Sequence, residues 1–285
     1  MRFRLLTFFA LVATLSVVAE TVEKRDSVVL RPVTSSYELS FGGAELADTY
    51  LTPLIYRGES FSFLYDRMQA MKFSPEKWVM ELMIGLEGSR TKNPAGNSTM
   101  WEAGLSASWS MMRRWHLDDK WTIGVGGFTG LDVGALYLKR NGNNPASAKA
   151  SWTVGVKSYL TFKFGMGKVP VLLRWSGSMP LGGIFFSPDY GELYYEIWLG
   201  NHSGLVHGAW PGDYLRIDNT VSMDFGFGST WLRVGYRSHI LSTKVNDITS
   251  RMVTNSFVLG ISGEWISVRP NKPIGNVARV ISALY

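Results

Sequence analysis

The sequence predicts an all-β protein, a single closed antiparallel up-and-down transmembrane β-barrel of about ten strands, with about twelve as the alternative count. Three observations carry this reading. Apolar and polar residues alternate at period two in segment after segment. The connections between those segments alternate between short and long. The face opposite the apolar one is Gly, Ser and Thr with scattered single charges, whereas a water-facing sheet carries dense Lys and Glu.

Composition narrows the class first. The 285 residues are 46% hydrophobic, 13% aromatic and 18% charged, which excludes a disordered chain, a collagen and a charge-rich coiled coil. The absence of Cys removes disulfide scaffolds, zinc ribbons and thiol nucleophiles together. Arg2 and Arg4 precede an apolar run over 5–18, followed by the small residue Ala19 and then Glu20. That order reads as a secretory signal peptide over 1–19, too short to be a spanning helix of about 20 residues. Its removal takes two positive charges from a formal +6. So small a balance, on an exported chain, argues against a nucleic-acid partner.

The strands follow in order. Less regular segments cover 34–44 and 58–70. Over 78–89, Trp78, Met80, Leu82, Ile84 and Leu86 oppose Glu81, Gly85, Glu87 and Ser89. Over 101–114, Trp101, Ala103, Leu105, Ala107 and Trp109 oppose Glu102, Gly104, Ser106 and Ser108. A segment over 120–138 leads to the clearest one, 151–164, where Trp152, Val154, Val156, Leu160 and Phe162 oppose Thr153, Gly155, Lys157, Tyr159 and Thr161. After 168–178 comes 215–225, with Leu215, Ile217, Val221 and Phe225 against Arg216, Asp218, Thr220 and Asp224. The series ends with 229–242 and a strand in which Phe257, Leu259, Ile261 and Trp265 oppose Ser256, Gly260, Ser262 and Glu264.

Pro53, Pro75, Pro94, Pro145, Pro180, Pro188 and Pro211 are expected between strands, because Pro removes a ladder donor. Short turns are expected at 73–76, 116–119, 165–168 and 226–229, and longer links at 48–57, 90–98, 139–148, 179–213 and 243–251. Short periplasmic turns opposite long extracellular loops are the habit of outer-membrane barrels. Trp78, Trp115, Trp121 and Trp265 fall beside the short turns, and Trp101, Trp152 and Trp175 towards the long links, as two interfacial girdles would. Trp231 is an exception that falls with the polar face. The expected division is a signal peptide over 1–19, a periplasmic segment over 20–33, the barrel over 34–268 and a periplasmic tail over 269–285.

The stretch Ser187-Pro188-Asp189-Tyr190-Gly191-Glu192-Leu193-Tyr194-Tyr195-Glu196-Ile197-Trp198, the opening Tyr50-Leu51-Thr52-Pro53-Leu54-Ile55-Tyr56 and the closing Ser256-Phe257-Val258-Leu259-Gly260-Ile261 resemble an uncharacterised barrel family. That family is a Bacteroidota-type outer-membrane group known as a domain of unknown function. The resemblance implies location and fold, and it brings no catalytic residues.

The polar face carries Glu38, Asp66, Glu81, Glu87, Glu102, Asp132, Asp218, Asp224 and Glu264, with Arg114, Lys157, Lys163, Arg174, Arg216, Arg233 and Arg237. Interspersed signs favour a lumen filled by ion pairs, with Arg216, Arg233 and Arg237 among the paired bases and Asp218, Asp224 and Glu264 among the other lumen charges. A narrow small-solute channel is the alternative. A rim hydrolase using His207 or His239 with Ser203, Asp213 or Asp218 is the second alternative, though no spacing is diagnostic. His116 falls in a turn. His202 and His207 lack metal-site spacing, so neither a metal nor a cofactor is expected. Gly124, Gly126, Gly127 and Gly130 miss a dinucleotide register and lie within a strand, where close packing explains them.

The segment over 179–213 is long and aromatic, with Tyr190, Tyr194, Tyr195, Trp198 and Trp210. Such a loop is expected to act as a plug, a rim cap or a surface for an extracellular glycan or protein partner. Outer-membrane lipid is the other expected partner.

Overall fold

The computed structural model describes residues 29–142, 144–266 and 279–285. The expected signal peptide therefore lies outside the described residues, as does much of the expected C-terminal tail.

Ten long strands form one closed antiparallel barrel. After the short β1 (Val29–Leu30) they run as β2 (Val33–Asp48), β3 (Thr52–Ala70), β4 (Trp78–Lys92), β5 (Thr99–His116) and β6 (Trp121–Leu138). They continue as β7 (Ala146–Met166), β8 (Val169–Phe186), β10 (Tyr214–Phe227), β11 (Thr230–Val245) and β12 (Ile248–Trp265). Between β8 and β10 lie one short helix, α1 (Tyr194–Trp198), and a short strand, β9 (Val206–Gly208). Every strand pairs with its sequence neighbour, β12 returns to β2, and β8 closes onto β10. This is ten strands and not twelve.

Strand alternation turns the sheet polar side in. Glu38, Asp66, Glu81, Asp224 and Arg233 are buried, while Tyr37, Leu39, Phe41, Leu86, Leu105, Val133, Leu232 and Leu259 lie exposed on the outside. Water would penalise that outer surface at ~25 cal/mol per Å² of apolar area, so the barrel's outside suits hydrocarbon. Trp101 and Trp115, each carrying an arginine over its ring (Arg90 at 5.5 Å, Arg113 at 5.3 Å), stand near opposite rims.

Several expected boundaries shift. The links at 48–57 and 243–251 are not loops. β2 and β3 are joined by 49–51 alone, and β11 and β12 by Asn246 and Asp247, both left-handed with φ 52° and 57°. Two successive positive φ values match the right-handed twist of a two-residue hairpin, which polar composition had disguised as a loop. Pro53 and Pro180 lie within strands. Pro180 is tolerated because the β7–β8 register shifts there, pairing Val154 with Gly182 but Gly155 with Pro180. Since β8 runs on to Phe186, Trp175 sits nearer its start than the long-connection end. Beyond the reach of β10, Ile184–Phe186 pair with β9.

The lumen face is not polar throughout, as alternation alone suggested. At the long-connection end Leu46, Tyr50, Leu51, Tyr56, Met100, Leu136 and Ile248 form an apolar cluster. At the short-turn end Met68, Val79, Met112, Tyr159 and Leu172 form another, together with Ala283 and Leu284 from the C-terminus. The described part of the tail thus enters the barrel mouth instead of standing free. β13 (Arg279–Val280) pairs in parallel with β1. Gly124 is required here, because a Cβ would lie 2.1 Å from the Tyr159 ring that crosses the same floor.

Candidate functional site: the lumen and its two mouths

A chain of ion pairs crosses the lumen between the apolar ends. Lys157 on β7 meets Glu81 on β4 at 2.6 Å, and Glu81 meets Arg174 on β8 at 2.8 Å. Arg174 reaches Asp66 on β3 at 3.1 Å. Arg233 on β11 holds Glu38 on β2 at 2.6 Å and Asp224 on β10 at 2.7 Å, and approaches Asp66 at 4.0 Å. Arg237 completes the chain on the other oxygen of Glu38. These eight side chains come from seven of the ten long strands, so the chain spans the bore. Arg233 is 2% exposed and grips Asp224 through both Nε and Nη2, a fork a lysine cannot reproduce.

At the short-turn mouth the tail is tied down by directional bonds. The Tyr285 ring stacks on Trp231 at 4.1 Å and 4°, and its hydroxyl donates to Asp224 at 2.9 Å. The lumen orientation that made Trp231 an exception is thereby explained. Arg114 donates from Nη1 to the carbonyls of Ser282 (2.6 Å) and Ala283 (3.1 Å), and from Nη2 to Pro75. Glu264 accepts from Thr34 at 3.1 Å and from Ser282.

At the other mouth Asp48, fully buried, gathers Lys149 (2.7 Å), Ser147 (3.0 Å) and Ser250 (3.2 Å). The segment over 187–213 folds back onto this layer. Tyr50 donates to the Glu192 carbonyl at 2.6 Å, and the amide of Ala148 donates to the Tyr194 hydroxyl at 2.6 Å. Burial raises the Tyr50 and Tyr194 phenols above their ordinary pKa, so both stay neutral hydroxyls. The expected aromatic group is therefore divided. Tyr194 packs into the apolar cap, whereas Tyr190, Tyr195, Trp198 and Trp210 project outward, Trp198 being 84% exposed.

Between the central chain and the cap lies a second polar layer. Arg216 meets Asp132 at 2.5 Å and Asp218 at 2.8 Å, and His239 Nδ1 meets the other oxygen of Asp218 at 2.5 Å. Of the expected lumen charges, Arg216 and Asp218 therefore belong to this layer and Arg233, Arg237 and Asp224 to the central chain. Glu264 lies at the tail. The proposed hydrolase sets separate: His207 faces the Ser187 carbonyl and Asn246, Asp213 accepts from Trp210, and only His239 and Asp218 meet. His116 Nδ1 faces Thr122 Oγ1 at 2.9 Å. Asp48 and Tyr285 were not singled out by sequence reasoning. Asp48 continues the alternation of Glu38, Ser40 and Ala44, a signal masked by the assumed loop, whereas nothing local marks Tyr285.

The chain belongs to the family described as protein of unknown function (DUF3316), whose model matches residues 4–272. No curated protein matches the sequence. Among solved structures it is similar to the outer membrane protease OmpT from Escherichia coli, at 6% identity and a TM-score of 0.46, over 82% of this chain and 97% of that one. It is also similar to the COG4313 outer membrane channel from Pseudomonas putida F1, at 8% identity and TM-score 0.43, over 86% and 100%. The β domain of the Bordetella autotransporter BrkA gives 9% identity and TM-score 0.41, over 82% and 100%.

Proposed function

We propose that the protein is an integral outer-membrane barrel, exported by a cleaved signal peptide over 1–19, whose lumen is closed to solutes and whose role is non-enzymatic. The long-connection end faces the exterior, and segment 187–213 serves both as its cap and as a partner-binding surface. The observation that carries this reading is the buried ion-pair chain from Lys157 through Glu81, Arg174, Asp66 and Arg233 to Glu38 and Arg237. Charges so paired leave no free field for a permeating ion, and opening a path would strand buried charges at several kcal/mol each. The apolar clusters at both mouths support closure from either side.

A sealed barrel acts through what it displays. Tyr190, Tyr195, Trp198 and Trp210 offer rigid, amphipathic rings of the kind that stack on a sugar or pack on a protein. Liposome swelling tests the closure: vesicles holding the full-length protein are expected to swell in isotonic arabinose no faster than empty ones. Swelling at a rate proportional to protein content would overturn it. Replacing Tyr195 and Trp198 by Ala is expected to abolish capture of a glycan or protein partner without changing the fold.

A further inference from the structure

Arg67 stands on the hydrocarbon-facing side of the barrel without a partner. It shares the outward face of β3 with Tyr65, whose ring meets the exposed Tyr37 at 5.3 Å, and it pairs in register with Ser35 on β2 and Leu82 on β4. Its Nε is buried without a hydrogen-bond partner, and among the described residues no carboxylate pairs with its guanidinium. Along the same face of β3 the first acid is Glu59, about 26 Å away at the rise of an extended strand. Glu45 is held by Arg57, and Glu76, in the turn after β3, by Arg279. A cation on a lipid face is destabilising unless it meets a counter-charge or reaches the interface. Arg67 lies about 10 Å from the end of β3, so its long side chain reaches the headgroup layer on the short-turn side.

The groups around Arg67 are donors. Ser35 Oγ and the Tyr65 hydroxyl lie 3.5 Å apart, and whichever donates leaves the other's O–H free. Gly263 on β12 pairs with Ser35 and adds no side chain there, and Trp265 Nε1 leans over it, 3.8 Å from where a Cβ would stand. At the end of β3, Arg31 donates from Nη1 to the Ala70 carbonyl at 2.9 Å, and its own carbonyl accepts from Gln69 Nε2 at 3.1 Å. Arg31 too is paired with no acid among the described residues. Two guanidiniums without counter-charge, a hydroxyl pair and an indole N–H thus share the short-turn end of β12, β2 and β3.

We propose that this patch binds the phosphate of an anionic glycerophospholipid from the leaflet at the short-turn end of the barrel. The donors decide the class. Planar guanidinium forks match phosphate oxygens, and a lipid is the anion source that shares the hydrocarbon face on which Arg67 stands. Its acyl chains run along Leu39 and Ile84, both exposed on the same face. The proposal rests on the membrane-barrel reading of the outer surface and not on closure of the bore, which conductance tests separately.

The test is native mass spectrometry of the full-length protein in neutral detergent micelles. It is titrated with dioleoylphosphatidylglycerol, beside dioleoylglycerol as the same chains without phosphate. Saturable binding of about one phosphatidylglycerol per barrel is expected, with dioleoylglycerol weaker by about tenfold or more. Arg67→Gln is expected to weaken phosphatidylglycerol binding about tenfold, and Arg31→Gln less. Arg67→Lys keeps the charge without the fork, so its loss is expected to be smaller than that of Arg67→Gln. Arg90→Gln, near the opposite rim, is expected to leave binding unchanged. Folding of each variant is read from heat-modifiable gel mobility. Excess glycerol 3-phosphate is expected not to displace the lipid, and displacement would overturn the lipid assignment in favour of a soluble phosphate. No saturable binding to the wild type, equal binding of dioleoylglycerol, an equal loss in Arg90→Gln, or unchanged binding in Arg31→Gln/Arg67→Gln would each overturn the proposal.

Discussion

Truncating Arg233 to Ala is expected to be the most costly single change in the barrel. It deletes three charge-assisted hydrogen bonds, at 2.7, 2.7 and 2.6 Å, from a side chain that is almost wholly buried. Asp224 retains the Tyr285 hydroxyl and Glu38 retains Arg237, so both acids are left partly supported but one positive charge short. Removing one partner of a buried pair costs about 3–5 kcal/mol, chiefly the cost of leaving charge unpaired. Arg233→Lys keeps the charge and loses the fork, which places its cost at about 1.5–3 kcal/mol. Replacing Arg233 and Asp224 together with Met and Asn removes one charge of each sign and leaves Glu38 paired with Arg237, and is expected to cost less than Arg233→Ala alone. Arg57→Ala, which breaks an exposed pair with Glu45 at 2.9 Å, serves as the control, at under about 1 kcal/mol. Reversible denaturant unfolding of the protein refolded into lipid vesicles, followed by Trp fluorescence, measures each loss. Arg233→Ala within about 1 kcal/mol of Arg57→Ala would refute the reasoning.

Other expectations follow from the mouths of the barrel. Deleting residues 279–285 uncovers Trp231, so its emission is expected to shift to the red and iodide to quench it. An unchanged spectrum would place the Tyr285 stack outside the native state. Gly124→Ala drives a Cβ into the Tyr159 ring and is expected to cost about 1–3 kcal/mol in the same unfolding assay, with Gly124→Ala/Tyr159→Leu recovering most of it. Trp198→Ala is expected to leave stability within about 0.5 kcal/mol, whereas Tyr194→Ala, which empties part of the cap, is expected to lose about 2 kcal/mol or more.

Much of the barrel could be read before its coordinates, because a sheet with hydrocarbon outside and a polar bore writes its two faces into alternate residues. Strands such as β7 and β10 announced themselves in this way. Their ends did not. The turn at Asn246 and Asp247 is made by two left-handed residues within polar sequence, and Pro180 is accommodated by a bulge that depends on β7. Alternation also assigned Arg216, Asp218, Asp224, Arg233, Arg237 and Glu264 to one face without saying which would meet. Their partners come from strands far apart in sequence, as with Arg233 and Glu38, 195 residues apart. The insertion of the tail was equally hidden, since Ala283, Leu284 and Tyr285 find their apolar surroundings on six different strands. Tyr194 carried no mark separating it from Tyr195, yet the α1 turn sends one into the cap and leaves the other in solvent.

The claim on which the rest depends is that the bore is closed, and planar-bilayer recording of the purified full-length protein tests it most directly. Wild-type protein inserted at neutral pH is expected to give no stepwise current in molar KCl. The variant Arg174→Ala/Arg233→Ala lacking residues 279–285 is expected to give discrete steps, because it removes two links of the ion-pair chain and the lower plug. Stable, uniform open-pore steps from the wild type would contradict the account.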